Sequence, residues 1–83
     1  MGTALHNDRL FVDRLIWDGH GYKAYLWKEG LDCWRLLAVR LDIGPSRENL
    51  SIVCTSRTDA RIEAEAVADA LIQNANVRPA WAT

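Results

Sequence analysis

The tetrapeptide Asp-Gly-His-Gly at residues 18–21 separates two runs of β-branched, aromatic and other apolar residues. An Asp-Gly pair suits a tight hairpin turn because these residues accept positive φ. The flanking segments, residues 10–17 and 22–28, are therefore predicted to be neighbouring antiparallel strands. A short helix over residues 10–17, capped by Asn7 or Asp8, is the alternative, and it is disfavoured because its charged residues do not gather on one face.

Two further segments, residues 33–42 and 50–55, follow turns at residues 29–32 and 44–49 and are predicted to be the third and fourth strands. Alternation along the second strand assigns one face to Tyr22, Ala24 and Leu26 and the other to Lys23, Tyr25 and Trp27. The same rule applied to the third strand groups Trp34, Leu36 and Ala38 against Arg35, Leu37, Val39 and Leu41.

A helix is predicted to begin after Ser56, because Ser-Arg-Thr-Asp forms a capping box with Asp59 in the usual place of glutamate. It should end near residues 73–75. Its apolar stripe is predicted to contain Ala60, Ala64, Val67, Ala68, Leu71 and Ile72, and its solvated stripe Arg61, Glu65 and Asp69.

The order predicts an α+β fold: a small antiparallel β-meander of about four strands with one C-terminal amphipathic helix packed on one face. Residues 1–83 fit a single domain, and residues 1–7 and 77–83, the latter with Trp81, are expected to be flexible or loosely docked ends.

The charge balance argues against several function classes. The net charge is −1, and each of the basic residues up to Arg47 has an acidic residue within a few positions, which disfavours nucleic acid as a partner. No segment approaches the roughly 20 apolar residues of a membrane span, and no secretory signal is visible, so a cytoplasmic protein is expected. Cys33 and Cys54 are expected to be free thiols, because folding the fourth strand back places Cys33 opposite about Arg57 or Thr58.

Residues that could carry catalysis are few. His6 lies in the N-terminal end and His20 in the hairpin turn, and no metal-binding or nucleotide-binding motif is present, so no catalytic residue, metal or cofactor is predicted. A thiol-dependent enzyme using Cys33 or Cys54 beside His20 remains a remote alternative.

The chain is rich in tryptophan, with four in 83 residues. One helix can cover only one sheet face, while aromatic residues alternate onto both, so an aromatic set should lie uncovered. Large side chains that close a thin core are one interpretation. The other is a partner-binding face ringed by charged residues such as Asp13, because tryptophan, tyrosine and arginine are frequent interface anchors. The candidate partner-binding residues are Tyr25, Trp27, Lys23, Trp17, Arg35 and Trp34.

These features predict a non-enzymatic protein-binding module whose partner is another protein, with a homodimer as an allowed state. Compact proteins without catalytic motifs are frequent among phage and mobile-element inhibitors of host enzymes or defence complexes, including anti-CRISPR proteins, and the chain is similar to them in style. In layout, residues 22–72 also resemble the arm-binding domain of phage integrases, whose sheet enters the DNA major groove. That resemblance implies the alternative function, a nucleic-acid-binding accessory domain.

Overall fold

The fold was analysed in a computed structural model, which describes residues 8–74. Strands β1 (Leu10–Trp17), β2 (His20–Gly30) and β3 (Cys33–Leu41) form an antiparallel meander. Two short strands, β4 (Ser46–Arg47) and β5 (Ile52–Cys54), both pair with β3, and helix α1 (Arg57–Asn74) follows. The predicted α+β class, with one helix on one face of the sheet, is confirmed.

The first hairpin has the predicted tight turn. Asp18 and Gly19 have φ values of 52° and 76°. Positive φ at both central residues is what a two-residue type I′ turn requires, and the twist of this turn matches that of the flanking strands. The turn sets Trp17 opposite His20 and carries β1 in unbroken register along β2, so the strand interpretation of residues 10–17 is confirmed. Strand β2 is longer than predicted because it begins at His20 and continues to Gly30.

Strand β3 departs from simple alternation. Leu36 lies opposite Leu26, but Ala38 lies opposite Tyr25, so Leu37 is an extra residue on β3 and forms a β-bulge. The bulge reverses the facing of every later residue of the strand. Val39 and Leu41 therefore share the buried face with Leu36, and the prediction that they point to the opposite side is wrong.

The predicted fourth strand is split. Residues 46–47 are predicted from the sequence to be part of a loop, but they form β4 and pair with the C-terminal end of β3. Residues 52–54 form β5 and pair with the N-terminal half of β3. Cys54 lies opposite Trp34. The prediction that Cys33 lies opposite about Arg57 or Thr58 is therefore wrong by a few residues. Adjacent residues of β3 face opposite sides, so Cys33 and Cys54 are on different faces, and both are free thiols.

Helix α1 begins as the sequence predicts. The Ser56 hydroxyl accepts a hydrogen bond from the Asp59 backbone N–H at 3.0 Å, which satisfies one of the unpaired donors of the first turn. The Asp59 carboxylate does not complete the reciprocal box. It accepts a hydrogen bond of 2.8 Å from the Thr55 hydroxyl instead.

The core lies between α1 and one face of the sheet. Three alanines of the helix, Ala60, Ala64 and Ala68, are fully buried, and their small side chains allow the helix axis to lie close to β2 and β3. The sheet contributes Tyr22, Ala24, Leu26, Trp34, Leu36, Val39, Leu41 and Cys54. The predicted apolar stripe of the helix is therefore confirmed, with Val67 and Leu71 packed at its margin.

A buried carboxylate joins α1 to the edge of the sheet. Asp13 of β1 is 6% exposed and accepts hydrogen bonds from Arg57 and from Arg61, the latter at 2.9 Å. The Arg57 guanidinium also lies 4.6 Å from the centre of the Phe11 ring. Burial alone would raise the pKa of Asp13, but the hydrogen bonds and charges of Arg57 and Arg61 outweigh it and lower that pKa from its ordinary 3.8.

The predicted solvated stripe of α1 is thus only partly solvated. Arg61 is bound to Asp13, and Asp69 accepts a hydrogen bond of 3.0 Å from the Trp17 indole N–H. Both side chains lie on the flank of α1 that faces β1.

The Asp13 cluster predicts a pH-dependent stability. Because the folded protein holds the pKa of Asp13 below 3.8, the ion pairs stabilise the fold fully above that pH, and the contribution is lost as the pH falls through the lowered value. We expect Asp13→Asn to lower the free energy of unfolding at pH 7 by about 2 kcal/mol. The difference from the unmodified protein should shrink below about pH 4. Urea unfolding between pH 7 and pH 2.5 measures both.

Asp32→Asn is the matched control, because Asp32 is exposed in the β2–β3 turn. Its unfolding curve should follow that of the unmodified protein at every pH. A difference between Asp13→Asn and the unmodified protein that is constant over the whole pH range would contradict the assignment.

Candidate functional site

The side of the sheet turned away from α1 has no layer over it among residues 8–74. We call this side the open face. The register assigns to it the even-numbered residues of β1 and the odd-numbered residues of β2. On β3 it carries Cys33 and Arg35 before the bulge and Ala38 and Arg40 after it, and on β5 it carries Val53.

One half of the open face, toward the β2–β3 turn, is apolar. Tyr25 and Trp27 of β2 are half-buried and lie directly opposite Val12 and Leu10 of β1. Val12 is 45% exposed, and Val53 on the other side of β3 is 57% exposed. The aromatic side chains therefore form the centre of an apolar patch on β1 and β2, which we call the aromatic patch, and Arg35 of β3 lies between Trp27 and Val53 of β5.

The other half of the open face carries three cations in one line. Arg14 lies opposite Lys23, and Lys23 lies opposite Arg40, so the three side chains cross β1, β2 and β3 side by side. We call them the basic row. Among residues 8–74, no carboxylate lies within 4 Å of the charged groups of Arg14 or Lys23, and Arg40 contacts Glu48 at 3.6 Å. Like charges directly opposite each other destabilise a sheet, so the basic row does not stabilise the fold.

Arg35 borders the aromatic patch on β3, directly opposite Trp27, and its charge is already paired. Its guanidinium donates hydrogen bonds of 2.7 and 3.0 Å to the two carboxylate oxygens of Glu29, and it also contacts the Ser51 hydroxyl. The hydrogen bond from Arg35 is the main reason that the pKa of Glu29 is lowered. Arg35 is thus a fixed rim of the patch and not a free cation.

A shallow depression joins the two halves of the open face. It has a volume of about 260 Å³ and is lined by Lys23, Tyr25, Arg40, Leu41 and Asp42. Cofactor and small-molecule sites are usually enclosed clefts of ~300–1,000 Å³ with mostly apolar walls. The depression is smaller than such a cleft, and three of the five residues that line it are charged.

The six candidate residues from the sequence divide between the two faces. Lys23, Tyr25, Trp27 and Arg35 lie together on the open face. Trp34 and Trp17 lie on the helix side, where Trp34 is buried 5.3 Å from the Phe11 ring and Trp17 is bound to Asp69. Asp13 is also on the helix side and does not border the aromatic patch.

The sequence reasoning missed Arg14, Val12, Val53 and Arg40 as parts of this surface. The turn at Asp18-Gly19 could have found the first two, because a two-residue hairpin fixes Arg14 opposite Lys23 and Val12 opposite Tyr25. No local signal could have placed Arg40, since its facing depends on the bulge at Leu37.

The groups required for thiol chemistry are not brought together. Cys33 and Cys54 lie at the β2–β3 turn end of the sheet, and His20 lies at the other end of β2, about 30 Å away at the usual rise per residue. Burial is the main cause that raises the pKa of both thiols, which disfavours the nucleophilic thiolate. His20 uses its Nδ1, 2.9 Å from the Asp18 carbonyl oxygen, to close the turn.

Two other kinds of site are absent from residues 8–74. No group of three or more His, Cys, Asp or Glu side chains is arranged to hold a metal ion there. No helix in that part of the chain has both the length and the apolar character needed to cross a membrane.

The division of the aromatic residues predicts two different mutational effects. Trp34→Ala should remove about 3–5 kcal/mol from the free energy of unfolding, because it empties a buried position beside Phe11 and Arg57. Trp27→Ala should cost only about 1 kcal/mol, because its side chain lies on the open face. Urea unfolding followed by circular dichroism compares them. Equal losses would assign Trp27 to the core and contradict the open-face assignment.

Comparison of the chain with protein-family models, with curated proteins and with solved structures gave no match.

Proposed function

We propose that the protein is a non-enzymatic protein-binding module that uses the open face to dock a partner protein. The observation that carries the proposal is the basic row beside the aromatic patch. Three cations placed directly opposite one another weaken the sheet, and Val12, beside Tyr25, exposes apolar surface to water. A bound partner would relieve both costs.

The chemistry of the open face defines the partner's surface. Carboxylates would meet Arg14, Lys23 and Arg40, and apolar or aromatic side chains would pack on Tyr25 and Trp27. Arg35 would form part of the polar rim, held in place by Glu29. Such a division, with aromatic anchors at the centre and charges at the margin, is typical of protein–protein interfaces.

An inhibitor is the kind of binding module that we favour, acting on an enzyme or a defence complex of the host of a phage or mobile element, in the manner of anti-CRISPR proteins. Its place of action would be the cytoplasm. A homodimer through the open face is the other protein partner, although it would bring one basic row toward another.

Nucleic acid is the second candidate, because the basic row supports it more than the net charge of −1 suggests. Cations beside aromatic side chains are the combination that binds a single strand, with phosphates on the cations and bases stacked on the rings. Tyr25 follows Lys23 by two residues on the same face of β2, a spacing that suits one nucleotide with its phosphate on Lys23 and its base on Tyr25. The row is short, so weak and salt-sensitive binding is the expectation for this function.

The protein-binding proposal is tested by affinity capture from a lysate of the native host, followed by binding measurements with the captured protein after purification. Trp27→Ala and Lys23→Glu should each weaken the purified complex at least about tenfold, the usual effect of losing an interface anchor or reversing a contact charge. Added salt should weaken the complex of the unmodified protein more than that of Lys23→Glu.

Two variants serve as matched controls. Ile43→Ser removes an apolar side chain that is 86% exposed in the loop before β4, and Arg47→Glu reverses a charge that lies opposite Val39, on the helix side of the sheet. Both should bind normally. If the controls lose as much affinity as Trp27→Ala and Lys23→Glu, or if none of the four variants has an effect, the open face is not the docking surface.

Titration with a labelled 20-nucleotide oligothymidine at about 50 mM salt separates the two candidates. If the partner is a protein, the oligothymidine should show no saturable binding. Binding that is lost in both Lys23→Glu and Tyr25→Ala, and that falls steeply with salt, would favour the nucleic-acid function instead.

A further inference from the structure

The two edges of the sheet differ in how well they are protected. At one edge β3 is paired by two short strands, β4 with two residues and β5 with three, and Pro45 lies just before β4. Short, interrupted edges of this kind resist pairing with another chain. The other edge is β1, eight residues long and in unbroken register with β2. It has no strand beyond it among residues 8–74.

The turn geometry decides which backbone groups of β1 point outward. In a two-residue hairpin the residues that flank the turn, Trp17 and His20, exchange hydrogen bonds, and the pattern then alternates along the strand. Odd-numbered residues of β1 therefore bond to β2, which agrees with the 2.8 Å bond from the Lys28 N–H to the Arg9 carbonyl. The N–H and C=O groups of Val12, Arg14 and Ile16 point away from β2.

The same three residues present their side chains to the open face. Val12 and Ile16 are 45% and 77% exposed, and Arg14 stands between them as the end of the basic row. An apolar, β-branched side chain on each side of Arg14, with backbone groups that no strand of residues 8–74 pairs, is the arrangement to which a further strand can add.

On the other side of the β1 edge there is a groove beside the helix. It has a volume of about 230 Å³, and Leu15, Tyr22 and Ile62 provide its apolar walls, with Arg61 and Glu65 on the helix side. Ile62 is 60% exposed, so the groove is open to solvent. Side chains of an added strand would alternate between the open face and this groove.

We propose that the partner protein supplies an extended segment that pairs with β1 as a sixth strand, with an acidic residue opposite Arg14 and apolar residues on both sides of it. This inference rests on the proposed function and specifies how the partner binds. Main-chain hydrogen bonds to Val12, Arg14 and Ile16 provide affinity, and the basic row and the groove provide specificity.

Charge selects a different protein over a second copy of the chain. Self-pairing of β1 in the register that matches Val12 with Ile16 sets Arg14 directly opposite the Arg14 of the second copy. Shifting that register by one residue on each strand sets the two Asp13 residues opposite each other, although Asp13 is bound to Arg57 and Arg61. Two arginines opposite each other destabilise the first pairing, and the second sets Arg14 opposite Val12 and gives it no carboxylate. A carboxylate of a different protein opposite Arg14 stabilises the pair.

The test uses two nine-residue peptides that alternate valine and threonine, blocked at both ends, one with glutamate and one with lysine at the centre. The full chain should bind the glutamate peptide about fivefold more tightly, and Arg14→Glu should reverse the preference. In the complex, amide hydrogen exchange at Val12, Arg14 and Ile16 should slow at least about tenfold, because these N–H groups become bonded.

Val12→Pro, which removes one outward N–H, should weaken binding of the glutamate peptide, while Val12→Thr, which keeps it, should not. If Val12→Pro does not fold, the reversal by Arg14→Glu still decides the question. Absence of binding, equal affinity for both peptides in both proteins, or exchange protection confined to β4 and β5 would overturn the proposal. If the peptides do not pair with β1 but Trp27→Ala still weakens the captured complex, the proposal of edge pairing fails and the proposed function stands.

Discussion

Helix α1 lies against the sheet along fully buried alanines, and a buried carboxylate fixes its position. Ala60, Ala64 and Ala68 bring the helix close to the sheet, and Asp13 binds Arg57 and Arg61 from its first turns. Taking a carboxylate out of water is costly unless it is paired, and the hydrogen bonds from both arginines offset that cost for Asp13. The same contact ties the helix to β1, and the apolar side chains of the sheet that form the core lie on the face that the helix covers.

Helix α1 covers one sheet face and leaves the other open, and strand pairing determines which charges lie together on the open face. The net charge of −1 does not reveal this arrangement, because Arg14, Lys23 and Arg40 are distant in sequence and become neighbours in one row. Arg57 and Arg61 are used inside the fold, and Arg35 is tied to Glu29. Arg14 and Lys23, which have no carboxylate within 4 Å among residues 8–74, lie side by side next to the aromatic patch and at the edge formed by β1.

Most of the fold could be predicted because its signals are local. Asp18 and Gly19 accept the positive φ of the turn, Ser56 caps the helix, and alternation along β2 separates the two faces. About half of the site followed, since Lys23, Tyr25, Trp27 and Arg35 do share a face. Excluding Trp17 and Trp34 from it required knowing which face the helix covers, and composition does not contain that information.

The sequence by itself determined the order of elements, the two-residue hairpin and its register, and the apolar stripe of α1, because each depends on residues within a few positions of one another. The tertiary structure alone decided the bulge at Leu37, the split of the last strand into β4 and β5, and the pairing of Asp13 with Arg57 and Arg61. These features depend on contacts between distant segments. An extra residue on β3 is acceptable only because turning Val39 and Leu41 inward buries them under a helix that begins at Arg57.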